Sequence, residues 1–259
     1  MAFIIGGHQR SGTTMLFYLC RRHRDLGLTG EFRCFDRLDV PFPQHVQGLQ
    51  TRWYRKSFLW RIGRRQPWIF KAGGGIFLAL YLSKLRSTVG DRKVCARDVE
   101  ETLRWIFRKP LVGDKYPRYV FKLDTLCAVP DIKRIIIYRD ARDVVSSFLF
   151  MLRTKWKDFP MAKKNPTAAT IAAKWVEAVE QMERNRDSLL AIRYEEFVRN
   201  PAVGVVPLAE YLGIDPKGFR IKMVHDRSIG KSGEGLTPQE RSAVLEVAGN
   251  TLARLGYPV

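Results

Sequence analysis

The chain begins with a short apolar run, "AFIIGG", that ends in glycines. It gives way to "SGTTMLFYLCRRH", where Ser and Thr precede apolar residues at helical spacing. That order predicts a strand at Ala2–Ile5, a loop, then a helix. A second run, "IKRIIIYRD" (Ile132–Asp140), is dense in β-branched residues and lacks polar alternation, the mark of a strand buried on both faces. It passes into "ARDVVSSFLFMLRTK", which is helical in period. A third run, "LLAIRYEEF" (Leu189–Phe197), repeats strand then helix, and further helical patterns cover Phe77–Arg86, Val99–Arg108 and Thr167–Arg186. The triple glycine in "AGGGIF" (Ala72–Phe77) lacks a cation and a preceding strand, so it reads as a flexible helix entry. Strands alternating with helices predict an α/β, three-layer P-loop-type fold with a central, mostly parallel sheet flanked by helices. No repeat or linker divides it, so residues 1–259 read as one domain. Ligands of such sheets sit at the carboxyl ends of the strands. Those three exits carry Arg10 and Ser11, Arg139, and Tyr194, which should converge on one crevice.

Composition adds three constraints. A formal net charge of +19 favours anionic partners. No run of eighteen or more apolar residues exists, so no membrane-spanning helix is expected, and the start reads as a first strand rather than a secretory leader. Four cysteines (Cys20, Cys34, Cys95 and Cys127) are scattered without a C-x-x-C pair, which suits reduced thiols in a cytoplasmic protein and argues against a zinc site. The segment "TRWYRKSFLWRIGRRQPW" (Thr51–Trp68) interleaves cations with aromatic residues. It is readable as a contact with an anionic membrane surface, as a nucleic-acid patch, or as a helix packing its rings on the core or forming a lid over the substrate. The core or lid reading is preferred.

The chemistry concentrates in "GGHQRSGTT". From Gly7 it matches G-x-x-x-x-G-T-T, the triphosphate loop with Thr13 in place of its lysine and Arg10 three residues earlier. Gly12, Thr13 and Thr14 should present backbone and hydroxyl donors to a phosphate at a helix start. A triphosphate would also need magnesium, and Asp140, set between Arg139 and Arg142, is poorly placed to hold it. The loop therefore suits a phosphate handled by Arg10 without a metal.

"QRSGTTML" resembles the 5′-phosphosulfate loop of the sulfotransferases that use 3′-phosphoadenosine 5′-phosphosulfate (PAPS). "YRDARDVVSSF" resembles their 3′-phosphate motif, an Arg at a strand end followed eight residues later by a Ser, here Arg139 and Ser147. "GDKYPRY" (Gly113–Tyr119), "IRYEEFVRNP" (Ile192–Pro201) with "LAEYLGI" after it, and "SIGKSGEGLTPQE" extend the likeness in order along nearly the whole chain. Arginine at position 10 is closer to the tyrosylprotein, carbohydrate and bacterial branches than to the small-molecule branch, whose mid-chain histidine base has no match among His8, His23, His45 and His225. The resemblance implies metal-free sulfuryl transfer from PAPS to an acceptor hydroxyl. Glu31, in "TGEFR", would be the base, with Arg10 and Lys115 at the transferred group. Arg10, Ser11, Gly12, Thr13 and Thr14 would hold the 5′ end of the donor, Arg139, Ser147 and Lys231 its 3′-phosphate, and Tyr194 its adenine.

The acceptor is read only as a class: a small molecule, glycan or lipid bearing a hydroxyl, walled by the segments 32–68 and 156–167. Two other readings stay open at this point. A P-loop kinase would turn over ATP with magnesium, and a basic nucleic-acid binder would show steep salt dependence. No helix-turn-helix, zinc-finger or RNA-recognition signature supports the latter, so nucleic acid is not expected as a partner.

Overall fold

The computed structural model describes residues 1–50, 67–158, 162, 166–226 and 228–259, with backbone alone for 67–74. Five strands form one sheet in the order β2-β3-β1-β4-β5: β1 (Ala2–Gly6), β2 (Leu26–Gly30), β3 (Leu111–Lys115), β4 (Ile132–Tyr138) and β5 (Leu190–Arg193). Every pairing is parallel. The chain leaves β1 for the β3 and β2 side and later returns to β4 on the other, so the order reverses beside β1. In open α/β sheets that reversal opens a crevice above the carboxyl ends of the strands.

Alternation along β1 explains the layers. Phe3 and Ile5 face one side and bury against Leu16 and Leu19 of α1 (Thr13–Arg21), together with Ile135 and Ile137 of β4. Leu208 and Leu212 of a later helix, Pro201–Leu212, close that layer. Ala2 and Ile4 face the other side, against Tyr81 and Leu85 of a long helix, Pro67–Val89, and Val99 and Leu103 of Ala96–Phe107. In chain order these helices follow α2 (Phe42–Gly48) as α3 (Pro67–Val89) and α4 (Ala96–Phe107). Beyond β3 a single 3₁₀ segment (Pro117–Lys122) leads into α5 (Leu123–Cys127). The second face continues under β4, where Ile136 packs with Val144 and Val145 of α6 (Ala141–Arg153) and with Ile171 and Trp175 of α7 (Ala168–Arg184). The remaining helices are α8 (Tyr194–Arg199), α9 (Pro201–Leu212), α10 (Ser232–Gly235) and α11 (Pro238–Arg254), the last packed along α7.

The sequence patterns place these elements closely. Thr167 caps α7, accepting from Thr170 N at 3.2 Å, and Asp140 caps α6, accepting from Arg142 N at 2.8 Å. Two features differ from expectation. The triple glycine is no helix entry but lies inside α3, which already runs from Pro67. Five strands stand where three apolar runs were evident: β2 and β3 are strands that sequence periodicity did not mark. Residues 51–66 of the basic-aromatic segment lie outside the described residues. No described helix is long and apolar enough to cross a membrane. All four cysteines are free.

Candidate active site

The loop between β1 and α1 is held in an unusual backbone path. Gly7, Arg10 and Gly12 all have positive φ, at 141°, 75° and 102°. A Cβ on Gly7 would lie 2.2 Å from the Ile137 carbonyl oxygen, and one on Gly12 would lie 2.4 Å from the Tyr194 ring. Both positions thus require glycine for space as well as for conformation. Arg10 adopts the left-handed region without that freedom, at a cost of about 1–2 kcal/mol that functional loops commonly carry. Gly12 occupies the N-cap of α1 with no side-chain cap. Ser11, fully buried, therefore does not serve as a helix cap, and its Oγ has no partner among the described residues.

Arg139, at the exit of β4, meets this loop. Its guanidinium donates to the Arg10 carbonyl at 3.4 Å and to Asp143 Oδ2 at 2.9 Å, donates as well to the Ser228 carbonyl, and lies 4.8 Å from the centre of the Tyr194 ring. Its Nε is buried without a partner among the described residues. The backbone at this exit is fixed from below, because the indole of Trp175 donates to the Arg139 carbonyl at 2.9 Å. The three strand exits therefore do converge: Arg10, Arg139 and Tyr194 form one contiguous surface above β1, β4 and β5.

Ser147 joins them from α6, its Oγ accepting from Arg10 Nε at 2.9 Å. Arg10 also lies 5.9 Å from the Trp156 ring centre. Burial, and then repulsion from Arg139, draw the Arg10 guanidinium below its usual pKa. Two cations and two orphaned buried polar atoms at neighbouring strand exits make an arrangement that an anion would relieve.

Across β3 the strands end in a second pair. Lys115 Nζ donates to Glu31 Oε1 at 2.6 Å, while Glu31 N donates back to the Lys115 carbonyl at 2.6 Å. Lys115 is nearly buried, its ammonium 5.7 Å from the Phe17 ring centre, whereas the Glu31 side chain keeps 29% of its exposure. Neighbouring Arg33 pairs with Asp36 at 2.5 Å.

Two carboxylates absent from the sequence-based site organise it. Asp114, fully buried beside Lys115, accepts from Thr29 Oγ1 (2.6 Å), Tyr119 OH (2.7 Å), Arg33 N (2.8 Å) and Phe32 N (3.1 Å). Burial nonetheless pushes its pKa up. By fixing the backbone just beyond Glu31 it sets where that side chain starts. Asp143, besides holding Arg139, accepts from Gly230 N and Ser232 N, each at 2.9 Å. This brings the late loop, with Lys231 between those two residues, to the Arg139 side of the crevice. Lys231 itself is exposed. The signal for Asp114 was its place in "GDKYP"; for Asp143, the one sequence signal was its four-residue spacing from Arg139. Among the described residues no group of three His, Cys, Asp or Glu side chains is placed to hold a metal.

Residues 2–217 match the sequence profile described as the sulfotransferase family. The nodulation protein NoeE of Sinorhizobium fredii is 23% identical over 300 residues, covering 97% of this chain; the chain spans 64% of that relative's length. Among solved structures, the sulfotransferase domain from the curacin biosynthetic pathway superposes with a TM-score of 0.65 at 15% identity, covering 100% of this chain and 98% of that one. The sulfotransferase domain of the Synechococcus PCC 7002 olefin synthase gives 0.64 at 16% identity, with 100% and 95% covered.

Proposed function

Since the chain belongs to the sulfotransferase family, we propose that it moves a sulfuryl group from PAPS to an acceptor hydroxyl, with the crevice above β1, β4 and β5 holding the donor. The observation that carries the reading is the pair of buried polar atoms, Ser11 Oγ and Arg139 Nε, left unpartnered among the described residues next to the Arg10–Ser147 hydrogen bond and the Arg139–Arg10 contact. They offer one polar group at the glycine loop and one at the exit of β4, which suits a nucleoside phosphorylated at both ends.

The residues present fit that donor. The amides of residues 12–14, at the positive end of α1, and the Ser11 hydroxyl suit the 5′ side, while the Ser11 amide donates to the His8 carbonyl at 3.1 Å. Arg139, Ser147 and the loop carrying Lys231 suit the 3′-phosphate. The Tyr194 ring, already stacked against Arg139 and packed on Gly12, offers a face for adenine. When bound, PAPS supplies an activated sulfuryl group on a phosphate leaving group.

The protein's part is to place charge and take a proton. Glu31 accepts the proton of the attacking hydroxyl, for which a carboxylate within hydrogen-bond reach is needed. Lys115 holds Glu31 in place and, with Arg10, provides fixed positive charge where negative charge grows. Such preorganised charge is worth about 3–4 kcal/mol per donor in related chemistry. No step calls for a metal.

Calorimetric titration with adenosine 3′,5′-bisphosphate, AMP and ATP tests this. The bisphosphate should bind at least tenfold more tightly than AMP, and Arg139→Ala should erase that preference. Uptake of ATP with no heat from the bisphosphate would overturn the reading.

A further inference from the structure

Behind the glycine loop, on the face of the sheet covered by α6 and α7, lies a cavity of about 350 Å³. His8 and Gln9 of the loop form one wall. Phe121 and Phe148 form a second, and Ile171, Lys174 and Glu177 of α7 a third, with Arg118 opening it to solvent. The His8 ring meets Phe121 edge-on at 6.4 Å between centres and Phe148 at 6.2 Å.

Two chain neighbours connect this cavity to the donor crevice. Gln9 precedes Arg10 and Phe148 follows Ser147, so the Arg10–Ser147 hydrogen bond spans two of the cavity's own walls. The aromatic lining is continuous between them as well: Trp156 lies 5.9 Å from the Arg10 guanidinium and packs edge-on against Phe148 at 5.5 Å. On the other side, the segment Pro117–Lys122, which carries Arg118 and Phe121, begins two residues after Lys115 of the Glu31 pair.

The polar groups of the cavity are unequal. Lys174 is neutralised by Glu177 at 2.5 Å. His8 Nδ1 lies 2.8 Å from the Gln9 carbonyl, which can only accept, so the proton sits on Nδ1 and the ring is satisfied as a neutral group. Arg118 has neither a hydrogen bond nor an ion pair among the described residues. A cavity with an aromatic wall from Phe121 and Phe148, and with one guanidinium that has no ion-pair partner among the described residues, complements a body with an apolar face that ends in an anion.

We infer that this cavity is a further binding site beside the donor crevice, and that its ligand is a compact molecule with an apolar face and a carboxylate or similar anion, selected by Arg118. The ligand chemistry follows from the cavity itself and stands apart from the sulfuryl-transfer reading. A volume of 350 Å³ fits a molecule built on one ring or a short chain.

Calorimetry with para-hydroxyphenylacetate and its uncharged methyl ester, on protein saturated with adenosine 3′,5′-bisphosphate, tests it. The carboxylate should bind about tenfold more tightly than the ester to the unaltered protein, the value of one charge-assisted hydrogen-bond pair. In Arg118→Ala the two probes should bind alike, with bisphosphate affinity unchanged, and Arg118→Lys should restore part of the difference. Equal binding of the two probes to the unaltered protein, no binding of either, or a carboxylate preference that survives in Arg118→Ala would each overturn the assignment. The bisphosphate titration run beside it keeps the two readings apart: normal bisphosphate binding with no carboxylate preference removes the anion-selecting site and leaves the donor crevice standing.

Discussion

Arg10 and Ser147 are 137 residues apart in the chain, yet Arg10 Nε donates to Ser147 Oγ at 2.9 Å. One belongs to the loop that leaves β1, the other to the helix that follows β4. The bond therefore ties the loop after β1 to the helix after β4, and under the proposed function it leaves Ser147 holding the arginine assigned to the transferred group. Removing the hydroxyl should free Arg10 and delete one contact to the 3′-phosphate. Ser147→Ala is expected to weaken adenosine 3′,5′-bisphosphate binding about five- to tenfold, near 1 kcal/mol, with little change in thermal unfolding. Unaltered bisphosphate affinity would place Ser147 outside the 3′-phosphate site.

Asp143 governs the same site from beneath. It is buried, and its two oxygens hold Arg139 on one side and the amides of Gly230 and Ser232 on the other. An asparagine there keeps the size but replaces one acceptor oxygen by an amide that cannot accept from a backbone N–H. Asp143→Asn should release the loop around Lys231 and turn the Arg139 guanidinium, cutting the preference for the bisphosphate over AMP at least fivefold. Faster proteolysis of the 225–236 stretch should accompany it, because its anchoring amides lose their partner. A variant with normal loop protection and normal preference would reduce Asp143 to a helix residue that merely neutralises Arg139.

Glu31 and Lys115 make a different kind of pair. The lysine is almost buried, the glutamate is not, and 2.6 Å separates them. Glu31→Gln retains the hydrogen bond from Lys115 but removes the proton acceptor. Turnover should fall about 10²–10⁴-fold, the range for loss of a general base, while bisphosphate affinity stays within a factor of two. Single-turnover rates together with calorimetry separate the two effects. Full turnover in the glutamine variant would assign the proton to another group.

The sequence reading succeeded where a strand is long and apolar and failed where it is short and mixed. β1 and β4 stand out because Phe3, Ile4, Ile5 and Ile135 to Ile137 are buried on both faces, so no polar alternation interrupts them. β3 is "LVGDK", two apolar residues followed by a glycine, an acid and a lysine, all buried. It tolerates Asp114 only because Thr29, Tyr119 and two backbone amides, none adjacent in sequence, surround the carboxylate. The site divides along the same line. Arg10, Arg139 and Tyr194 were legible because each sits at a strand exit, where topology alone brings them together. The pairing of Glu31 with Lys115, 84 residues away, rather than with neighbouring Arg33 was not, because it depends on β2 and β3 being adjacent. The hold of Asp143 on Gly230 and Ser232 was hidden for the same reason, since only the folded chain brings the late loop to α6.

His8 provides a test in pH. Burial among Phe121, Phe148 and the α7 residues pushes its pKa down from 6.5 to about 4, with the Gln9 carbonyl and the charge of Glu177 opposing the shift only in part. A folded-state pKa below the unfolded value means that the unfolded chain binds the proton first. The burial of neutral His8 is therefore without penalty above pH 6.5 and costs stability progressively as pH falls from 6.5 toward 4. The full shift corresponds to about 3 kcal/mol. Other groups titrate over the same range, so the informative quantity is a difference: urea unfolding of the unaltered protein and of His8→Gln at pH 7.5 and at pH 4.5. The glutamine variant, which has no proton to take up, should lose less stability than the unaltered protein across that interval, by about 2–3 kcal/mol. Parallel losses in the two proteins would show that His8 takes up its proton equally readily folded and unfolded, and that the wall it forms beside the phosphate loop is wet rather than closed.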